Sequence, residues 1–254
     1  MKLGLALSGG AVRGAAHVGA LMAIENAGLV PEVIAGTSVG ALVGALFASG
    51  ITAGDLALAF GEIGWSSLLG PRFPKPLSLF DGAPTERLLR ERFGLTTFAA
   101  LRLPFAAVAC DIAAGHEVVL RDGDVVEAVR ASSALPGIYP PIARGEQLLV
   151  DGGIVNNLPI DVVRAMGADV VIAVDLLPPW RVPSAPENLA ELWERSLNLL
   201  VRGNHPSADA AEVLVQPAIA AFSLTDFGGV DEMIRLGRQA AESALAEAGL
   251  GGVR

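Results

Sequence analysis

The stretch that decides the fold is Val33-Ile34-Ala35-Gly36-Thr37-Ser38-Val39-Gly40-Ala41-Leu42-Val43-Gly44-Ala45-Leu46. It predicts a short apolar strand, a tight turn and a helix. Its centre, from Gly36 to Gly40, has the spacing G-x-S-x-G, which lifts Ser38 to the apex of a strained strand-to-helix turn. Small residues on both sides allow the strand and the helix to approach closely. The free N–H groups of the first helical turn point toward the same serine.

The pentapeptide alone supports two interpretations, because Gly, Ser and Ala are frequent in this chain. Its serine is either a nucleophile or the N-cap of an ordinary strand–helix turn. The apolar residues before the turn and the helix-forming run to Ala48 provide the context that a nucleophile requires. The rest of the chain has to decide between the two interpretations.

Composition limits the classes of function. The chain has 254 residues, which suits a single α/β domain spanning residues 1–254. The hydrophobic fraction is 52% and the mean hydropathy is +0.52. Such values are typical of parallel strands covered on both faces, and they leave room for an exposed apolar surface that contacts lipid. The net charge of −9, without a basic run, argues against nucleic acid as a partner and against strong attraction to anionic membranes.

The N-terminal residues and the apolar stretch 33–51 lead to an expectation about localisation. The apolar run after Lys2 is too short for a signal peptide and is interrupted by Ser8 and Arg13. The glycines and serines of residues 33–51 argue against a membrane span. The single cysteine, Cys110, excludes an internal disulfide and lies in an apolar run typical of a core. We therefore expect a cytoplasmic protein whose membrane contact, if it has one, is peripheral.

The alternation of strands and helices predicts a three-layer α/β/α fold with a mostly parallel central sheet. Besides the strand before Ser38, the pattern predicts strands at 3–7, 103–111, 116–120, 147–150, 168–176 and 213–217. It predicts helices at 15–27, 39–48, 52–63, 85–93, 124–132, 156–166, 188–202 and 229–248.

The sequence leaves two interpretations for each of the segments 64–82 and 178–212. Each segment either folds onto the core or forms a lid. The second contains an amphipathic helix. Its apolar stripe is expected to pack on the core, with a lid or an interface helix as the alternative. The stripe consists of Leu189, Leu192, Trp193, Leu197 and Leu200.

A glycine-rich turn, Ser8–Gly14, joins the first strand to the first helix. Its amides and the helix dipole converge, so the turn suits an anion. Ala11 breaks the dinucleotide spacing G-x-G-x-x-G, and no Gly-Lys-Ser/Thr completes a P-loop. With a candidate nucleophile one strand later, an oxyanion hole is the better interpretation. Arg13 either orients the turn by pairing with carbonyls or a carboxylate, or is solvated.

A candidate base follows another strand, in Asp151-Gly152-Gly153. The carboxyl end of a strand in a parallel sheet is where such folds place functional groups. The two glycines allow close packing of the backbone around the carboxylate. An aspartate that only forms a local Asx-turn is the alternative.

Three blocks of the chain resemble, in order, the oxyanion block, the nucleophile elbow and the D-G-[GA] block of the patatin-like phospholipase family. They are Gly9–Gly14, Gly36–Gly40 and Asp151–Gly153. The stretches Ala128–Gly137 and Asn156–Pro159 also resemble the family pattern. The resemblance extends over residues 1–177 and includes bacterial stand-alone members and the catalytic domain of neuropathy target esterase.

The resemblance implies a Ser–Asp dyad without histidine. We expect no metal and no cofactor, because acidic residues are not clustered at EF-hand spacing and this mechanism needs no metal. Ser38 would attack the acyl carbonyl, and Asp151 would take the serine proton and return it to the leaving alcohol. The residues assigned to the oxyanion hole are Gly9, Gly10, Ala11 and Val39. Those assigned to supporting positions are Arg13, Gly14, Gly36, Gly40, Gly152 and Gly153. Ala11 departs from the glycine that the family often has there, and its methyl group is expected to narrow the approach to the oxyanion.

The expected substrate, a lipid or fatty-acyl ester, rests mainly on this resemblance. An acyltransferase or a thioesterase would use the same nucleophile, since exclusion of water decides between hydrolysis and transfer. A Ser–His–Asp triad in α/β-hydrolase order would need His205, the only late histidine. A non-catalytic module that holds an anion on Gly9–Gly14 would leave Ser38 and Asp151 unexplained.

Overall fold

The computed structural model describes residues 1–62, 76–177, 185–204, 210–222 and 228–250. In these ranges eight strands form one sheet. The strands are β1 (Leu3–Leu7), β2 (Val33–Thr37), β3 (Phe105–Asp111), β4 (His116–Leu120), β5 (Ile142–Arg144), β6 (Gln147–Asp151), β7 (Val170–Val174) and β8 (Val213–Val215).

Helices surround the sheet. Those described are α1 (Ala15–Asn26), α2 (Val39–Ala48), α3 (Ala53–Glu62), α4 (Ala83–Arg87), α5 (Val125–Ser132), α6 (Ile160–Ala165), α7 (Leu189–Gly203) and α8 (Val230–Glu247). Helix α4 continues as a π-helical turn over Leu88–Arg92. Short 3-10 turns occupy Ala11–Gly14, Phe98–Ala100 and Gly152–Ile154.

The sheet is mostly parallel, as predicted. Its strand order is β5-β6-β3-β2-β1-β7-β8, with β4 paired to β3 in addition. Strands β1, β2, β3, β7 and β8 run parallel, whereas β4 and β6 are antiparallel to β3, and β5 is antiparallel to β6. Every residue of β2 and β3 is buried, as expected for strands covered on both faces.

Two apolar clusters cover the faces of the sheet and confirm the three layers. Alternate residues of β1 divide between them, because successive side chains of a strand point to opposite faces. Leu5 and Leu7 join the larger cluster, which contains residues of α1, α2, α3 and α8. Ala6 joins the smaller cluster, which contains Val162 and Val163 of α6.

One change of partner along β3 fixes the position of the later site. Val108 pairs with Thr37 of β2, whereas the next residue, Ala109, pairs with Asp151 of β6. Both residues also pair with β4. A strand has only two edges, and β4 pairs with one edge of β3. The other edge pairs with β2 as far as Thr37 and with β6 beyond that point. Asp151 therefore lies in line with the end of β2, where Ser38 begins the turn.

Helices α1 and α8 touch through glycines. A Cβ atom on Gly19 would lie 1.9 Å from the carbonyl oxygen of Ile234, and one on Gly237 would lie 2.0 Å from that of Ala16. Only glycine leaves the space for backbones to approach this closely. These two positions therefore set the separation of α1 and α8.

The structure differs from the sequence prediction at several elements. The stripe of α7 was expected in the core, yet none of the helix's described side chains is buried. Strand β5 was not predicted, because three residues are too few to display alternation. Helix α4 begins at Ala83, two residues earlier than expected, because Pro84 suits a first helical turn.

The described helices also differ from membrane spans. None of them combines the length with the hydrophobicity that crossing a bilayer requires.

The contact of α1 with α8 yields a stability prediction. Gly237→Ala forces a methyl group against the backbone of α1, and we expect a loss of about 1–3 kcal/mol in the free energy of unfolding. Gly61→Ala on α3 is the matched control, because a Cβ atom there meets nothing within 4 Å. We expect this control to be unchanged or more stable by up to about 1 kcal/mol. Urea denaturation measures both variants, and equal stabilities would contradict the close packing.

Candidate functional site

Ser38 occupies the apex of the turn between β2 and α2. Its backbone angles, φ 55° and ψ −123°, lie in a region that side-chain-bearing residues rarely adopt. A Cβ atom on Gly36 would lie 2.3 Å from the carbonyl oxygen of Gly40, and one on Gly40 would lie 2.2 Å from that of Leu7. Both glycines are therefore needed by packing, and the strained serine is held by its neighbours.

The hydroxyl of Ser38 donates a 2.6 Å hydrogen bond to Oδ2 of Asp151. The other carboxylate oxygen, Oδ1, accepts from the backbone N–H of Gly153 at 2.8 Å and caps the turn that follows. Gly152 lies against β3, where a Cβ atom would be 2.3 Å from the carbonyl oxygen of Val108. The carboxylate is thus fixed by its own turn and presents one oxygen to the serine.

The environment makes Asp151 a stronger base than an ordinary aspartate. Its side chain is only 4% exposed. Burial raises the pKa of Asp151 to about 6, and the hydrogen bonds from Ser38 and Gly153 act in the opposite direction. At pH 7 the group is mostly ionised and still accepts a proton more readily than a solvated carboxylate.

The glycine-rich turn lies beside the serine. A Cβ atom on Gly9 would be 3.3 Å from that of Ser38. The N–H of Gly9 donates to the carbonyl oxygen of Asn157 at 3.1 Å, so this amide is not free for an oxyanion, and its predicted place in the oxyanion hole is corrected. Glycine is required at position 9 for a steric reason. A Cβ atom on Gly9 would lie only 2.5 Å from Oδ1 of Asn157.

Three other predicted donors remain available. Within the described ranges, no protein group accepts from the amides of Gly10, Ala11 or Val39. Gly14 brings the turn onto α2, since a Cβ atom there would lie 2.1 Å from Cγ2 of Val39. Ala11 has a φ of 50°, a value that favours glycine. The departure noted in the sequence therefore places an alanine in a strained conformation.

Ser132, at the end of α5, holds the backbone of Ser38. Its Oγ accepts from the N–H of Ser38 at 2.9 Å and donates to the carbonyl oxygen of Val108 at 2.5 Å. Ser132 is fully buried. Sequence reasoning missed this function, although the residue lies in the block Ala128–Gly137 that carried part of the resemblance.

His17 braces the glycine-rich turn rather than the serine. Burial lowers the pKa of His17 to about 4, so the ring is neutral at neutral pH. Its Nε2 lies 2.8 Å from the carbonyl oxygen of Ser8 and must donate, because a carbonyl only accepts. The hydroxyl of Ser8 in turn accepts from the N–H of Leu176 and donates to the carbonyl of Gly9. His205, the triad candidate, lies outside the described residues.

Arg13 is buried and pairs with a carbonyl, one of the two predicted alternatives. Its Nε and Nη2 donate to the carbonyl oxygen of Phe222 at 2.9 and 2.7 Å. Burial lowers the pKa of Arg13, and the negative charge of Glu194 opposes that shift. The guanidinium therefore ties the turn to the segment before α8.

In the described part of the chain, no three His, Cys, Asp or Glu side chains gather as the ligands of a metal would. The site offers a hydrogen-bonded serine–aspartate pair, Ser38 and Asp151, and the free amides of Gly10, Ala11 and Val39. Groups of these kinds suit an acyl substrate attacked by serine.

Strain at Ala11 yields a second prediction. Ala11→Gly removes the penalty of a positive φ, and we expect a gain of about 0.5–1 kcal/mol in the free energy of unfolding. Ala246→Gly, at an exposed position of α8, is the matched control and should lose about 0.5–1 kcal/mol. Thermal unfolding of both variants makes the comparison. Equal losses in the two would show that Ala11 is unstrained.

Comparison with known proteins assigns the family. The family model described as patatin-like phospholipase matches residues 5–164. An uncharacterised NTE family protein of Mycobacterium bovis is 36% identical, covering 96% of this chain and 46% of that relative. Human patatin-like phospholipase domain-containing protein 6 is 33% identical, covering 93% of this chain and 20% of its own length. The chain thus spans less than half of the length of these two relatives.

A solved structure shares the fold. The crystal structure of VipD from Legionella pneumophila aligns with a TM-score of 0.56 at 13% identity, covering 97% of this chain and 67% of that one. The family model accounts for more than half of the chain, and both relatives exceed 30% identity. The chain therefore belongs to the patatin-like phospholipase family.

Proposed function

We propose that the chain is a serine hydrolase of lipid esters, of the phospholipase A or lysophospholipase type, with a Ser38–Asp151 dyad. The observation that carries the proposal is the 2.6 Å hydrogen bond from the Ser38 hydroxyl to a buried carboxylate. The strained backbone of Ser38 adds support, because strain of this kind gathers at reactive residues.

The reaction proceeds in two halves. Oγ of Ser38 attacks the acyl carbonyl while Oδ2 of Asp151 takes the hydroxyl proton along the existing hydrogen bond. The C–O bond to the alcohol breaks, and the proton passes to the leaving oxygen, which leaves an acyl-serine. A water molecule then attacks the acyl-serine, and Asp151 accepts the proton of the water and returns it to Ser38. The products are a free alcohol and a fatty acid.

The free amides of Gly10, Ala11 and Val39 stabilise the negative charge that develops on the acyl oxygen. Removing one such donor costs about 3 kcal/mol of transition-state stabilisation in well-studied acyl-transfer sites. Other residues keep the donors and the dyad in place without touching the acyl group. They are Gly9, Arg13, Gly14, Gly36, Gly40, Ser132, Gly152 and Gly153.

The family's description as phospholipases supports a lipid ester as substrate. Peripheral contact with a membrane is part of the proposal, because such substrates reside there. Acyl transfer and thioester cleavage would use the same groups, and a module that only binds an anion would not need the Ser38–Asp151 bond. Cytoplasmic localisation and a single domain over 1–254 stay predictions.

The dyad is tested by covalent labelling. A fluorophosphonate probe should label the wild type, whereas Ser38→Ala should give no labelling. Asp151→Asn should slow labelling and short-chain ester hydrolysis by at least about 100-fold, since general-base catalysis contributes a factor of about 10²–10⁴. In-gel fluorescence over time and release of p-nitrophenol from its butyrate ester measure the two effects.

Asp111→Asn provides a control for these variants. Asp111 is a similarly buried aspartate at the end of β3, and its Oδ1 accepts from the N–H of Ala113. Labelling of this variant should remain within about threefold of the wild type. Undiminished labelling of Asp151→Asn, or full activity in Ser38→Ala, would exclude the dyad.

The pH dependence of the reaction follows from the pKa of Asp151. The base must be ionised, so kcat/KM should fall about tenfold for each pH unit below about 6 and level off above it. His17, with a pKa near 4, is neutral in this range and does not contribute. Hydrolysis of a soluble ester between pH 4.5 and 8.5 measures the profile. A profile that is flat down to pH 4.5 would rule out Asp151 as the base.

A further inference from the structure

Helix α7 exposes its apolar side. Five large apolar residues of α7 lie within an arc of about 120° around the helix axis, and their exposed fractions range from 36% to 80%. They are Leu189, Leu192, Trp193, Leu199 and Leu200, and we call this set the α7 face. Most helices of a soluble domain turn such a face inward, as α8 does with Met233 and Leu245. The arrangement of α7 is the reverse.

The opposite side of α7 lies on the candidate site. Val201 is half-buried, and its Cγ2 lies 3.8 Å from a Cβ atom built on Gly153. Beyond the helix, Nδ2 of Asn204 donates to the carbonyl oxygen of Ile154 at 2.8 Å. The inner side thus contacts the turn that Asp151 caps.

Charged residues of the inner side also face the two neighbouring loops. The charge of Glu194 acts on Arg13 of the glycine-rich turn. The charge of Arg202 and that of Asp175, which follows β7, act on each other. Glu194 and Arg202 therefore lie off the α7 face, on the side of the helix that is turned toward these loops.

We propose that the α7 face docks the protein on the surface of a zwitterionic phospholipid bilayer, directly beside the site. This proposal rests on the proposed function, which places the substrate in a membrane. The helix has 15 residues and is about 22 Å long, so it lies in the plane of the interface rather than crossing it. Its leucines and Trp193 are residue types that insert at the boundary between headgroups and acyl chains.

The charges near the α7 face select a zwitterionic surface. No basic side chain belongs to the α7 face. The acidic Glu187 and Glu191 lie at its beginning, and Glu191 forms a 3.5 Å ion pair with Arg195 of the same helix. The net charge of the chain is −9. Anionic lipids would repel such a surface. A neutral bilayer does not repel it, and burial of the apolar side chains in that bilayer favours binding.

A second copy of the chain fits the α7 face less well. The five side chains expose on the order of 500 Å², whereas a stable protein–protein interface buries about 800 Å² on each partner. Binding to a bilayer requires no such minimum area, because the lipids surround any apolar side chains that insert between them. The outer side then holds lipid while the inner side keeps contact with the turn after Asp151.

The test is co-sedimentation with phosphatidylcholine vesicles. The wild type should bind, and the double variant Leu192→Glu/Leu199→Glu should bind at least tenfold more weakly. Leu58→Glu, at a 69% exposed leucine of α3, is the matched control and should bind like the wild type. Unchanged thermal midpoints establish that both variants are folded. Ser38→Ala should bind vesicles normally, so failure of the proposed hydrolysis is distinguishable from failure of docking.

Several outcomes overturn the proposal. They are absence of wild-type binding, equal binding by the wild type and the double variant, equal loss of binding in Leu58→Glu, and binding only when the vesicles contain anionic lipid. Sedimentation equilibrium without vesicles addresses the second copy. If the wild type is a dimer, the double variant is a monomer and vesicle binding is the same in both, the α7 face serves self-association instead.

Discussion

The exchange of partners at two consecutive residues of β3 is the constraint on which the site depends. Val108 pairs with the last residue of β2 and Ala109 with Asp151, so the backbone ladder brings the carboxylate to the turn that carries Ser38. The distance between the side chains of Ser38 and Asp151 is set by the hydrogen-bond register of the strands rather than by long flexible side chains. A slip of one residue in β6 would turn Asp151 to the opposite face of the sheet.

Close backbone contacts make this arrangement rigid. Gly36, Gly40 and Gly152 each lie where an added Cβ atom would be within about 2.3 Å of a carbonyl oxygen. Ser132 occupies the remaining hydrogen-bonding groups, the N–H of Ser38 and the carbonyl of Val108. A site held in this way needs little reorganisation when charge develops on a substrate, which is the main source of electrostatic catalysis.

Local patterns in the sequence predict the layers, the mostly parallel sheet and the turn at Ser38, because these depend on periodicity and on small residues. Patterns do not reveal which edge of β3 receives β6, since that pairing joins residues far apart in the chain. The occupied amide of Gly9 and the function of Ser132 are likewise set by non-local contacts. For α7 the periodicity predicts an apolar stripe but not its exposure, and Leu199 belongs to the exposed face in place of the predicted Leu197. Periodicity within one helix does not reveal which side of that helix meets the rest of the fold.

Two buried groups of the site titrate in the same range with opposite consequences for folding. Because the pKa of Asp151 is raised from an ordinary value near 4 to about 6, its protonation stabilises the fold as the pH falls through 6. Because the pKa of His17 is lowered from 6.5 to about 4, the unfolded chain takes up its proton first, which destabilises the fold over the same range. Each effect amounts to roughly 3 kcal/mol. The contributions of these two groups therefore oppose each other, and protonation of Asp151 stabilises the fold over the range in which protonation of His17 destabilises it.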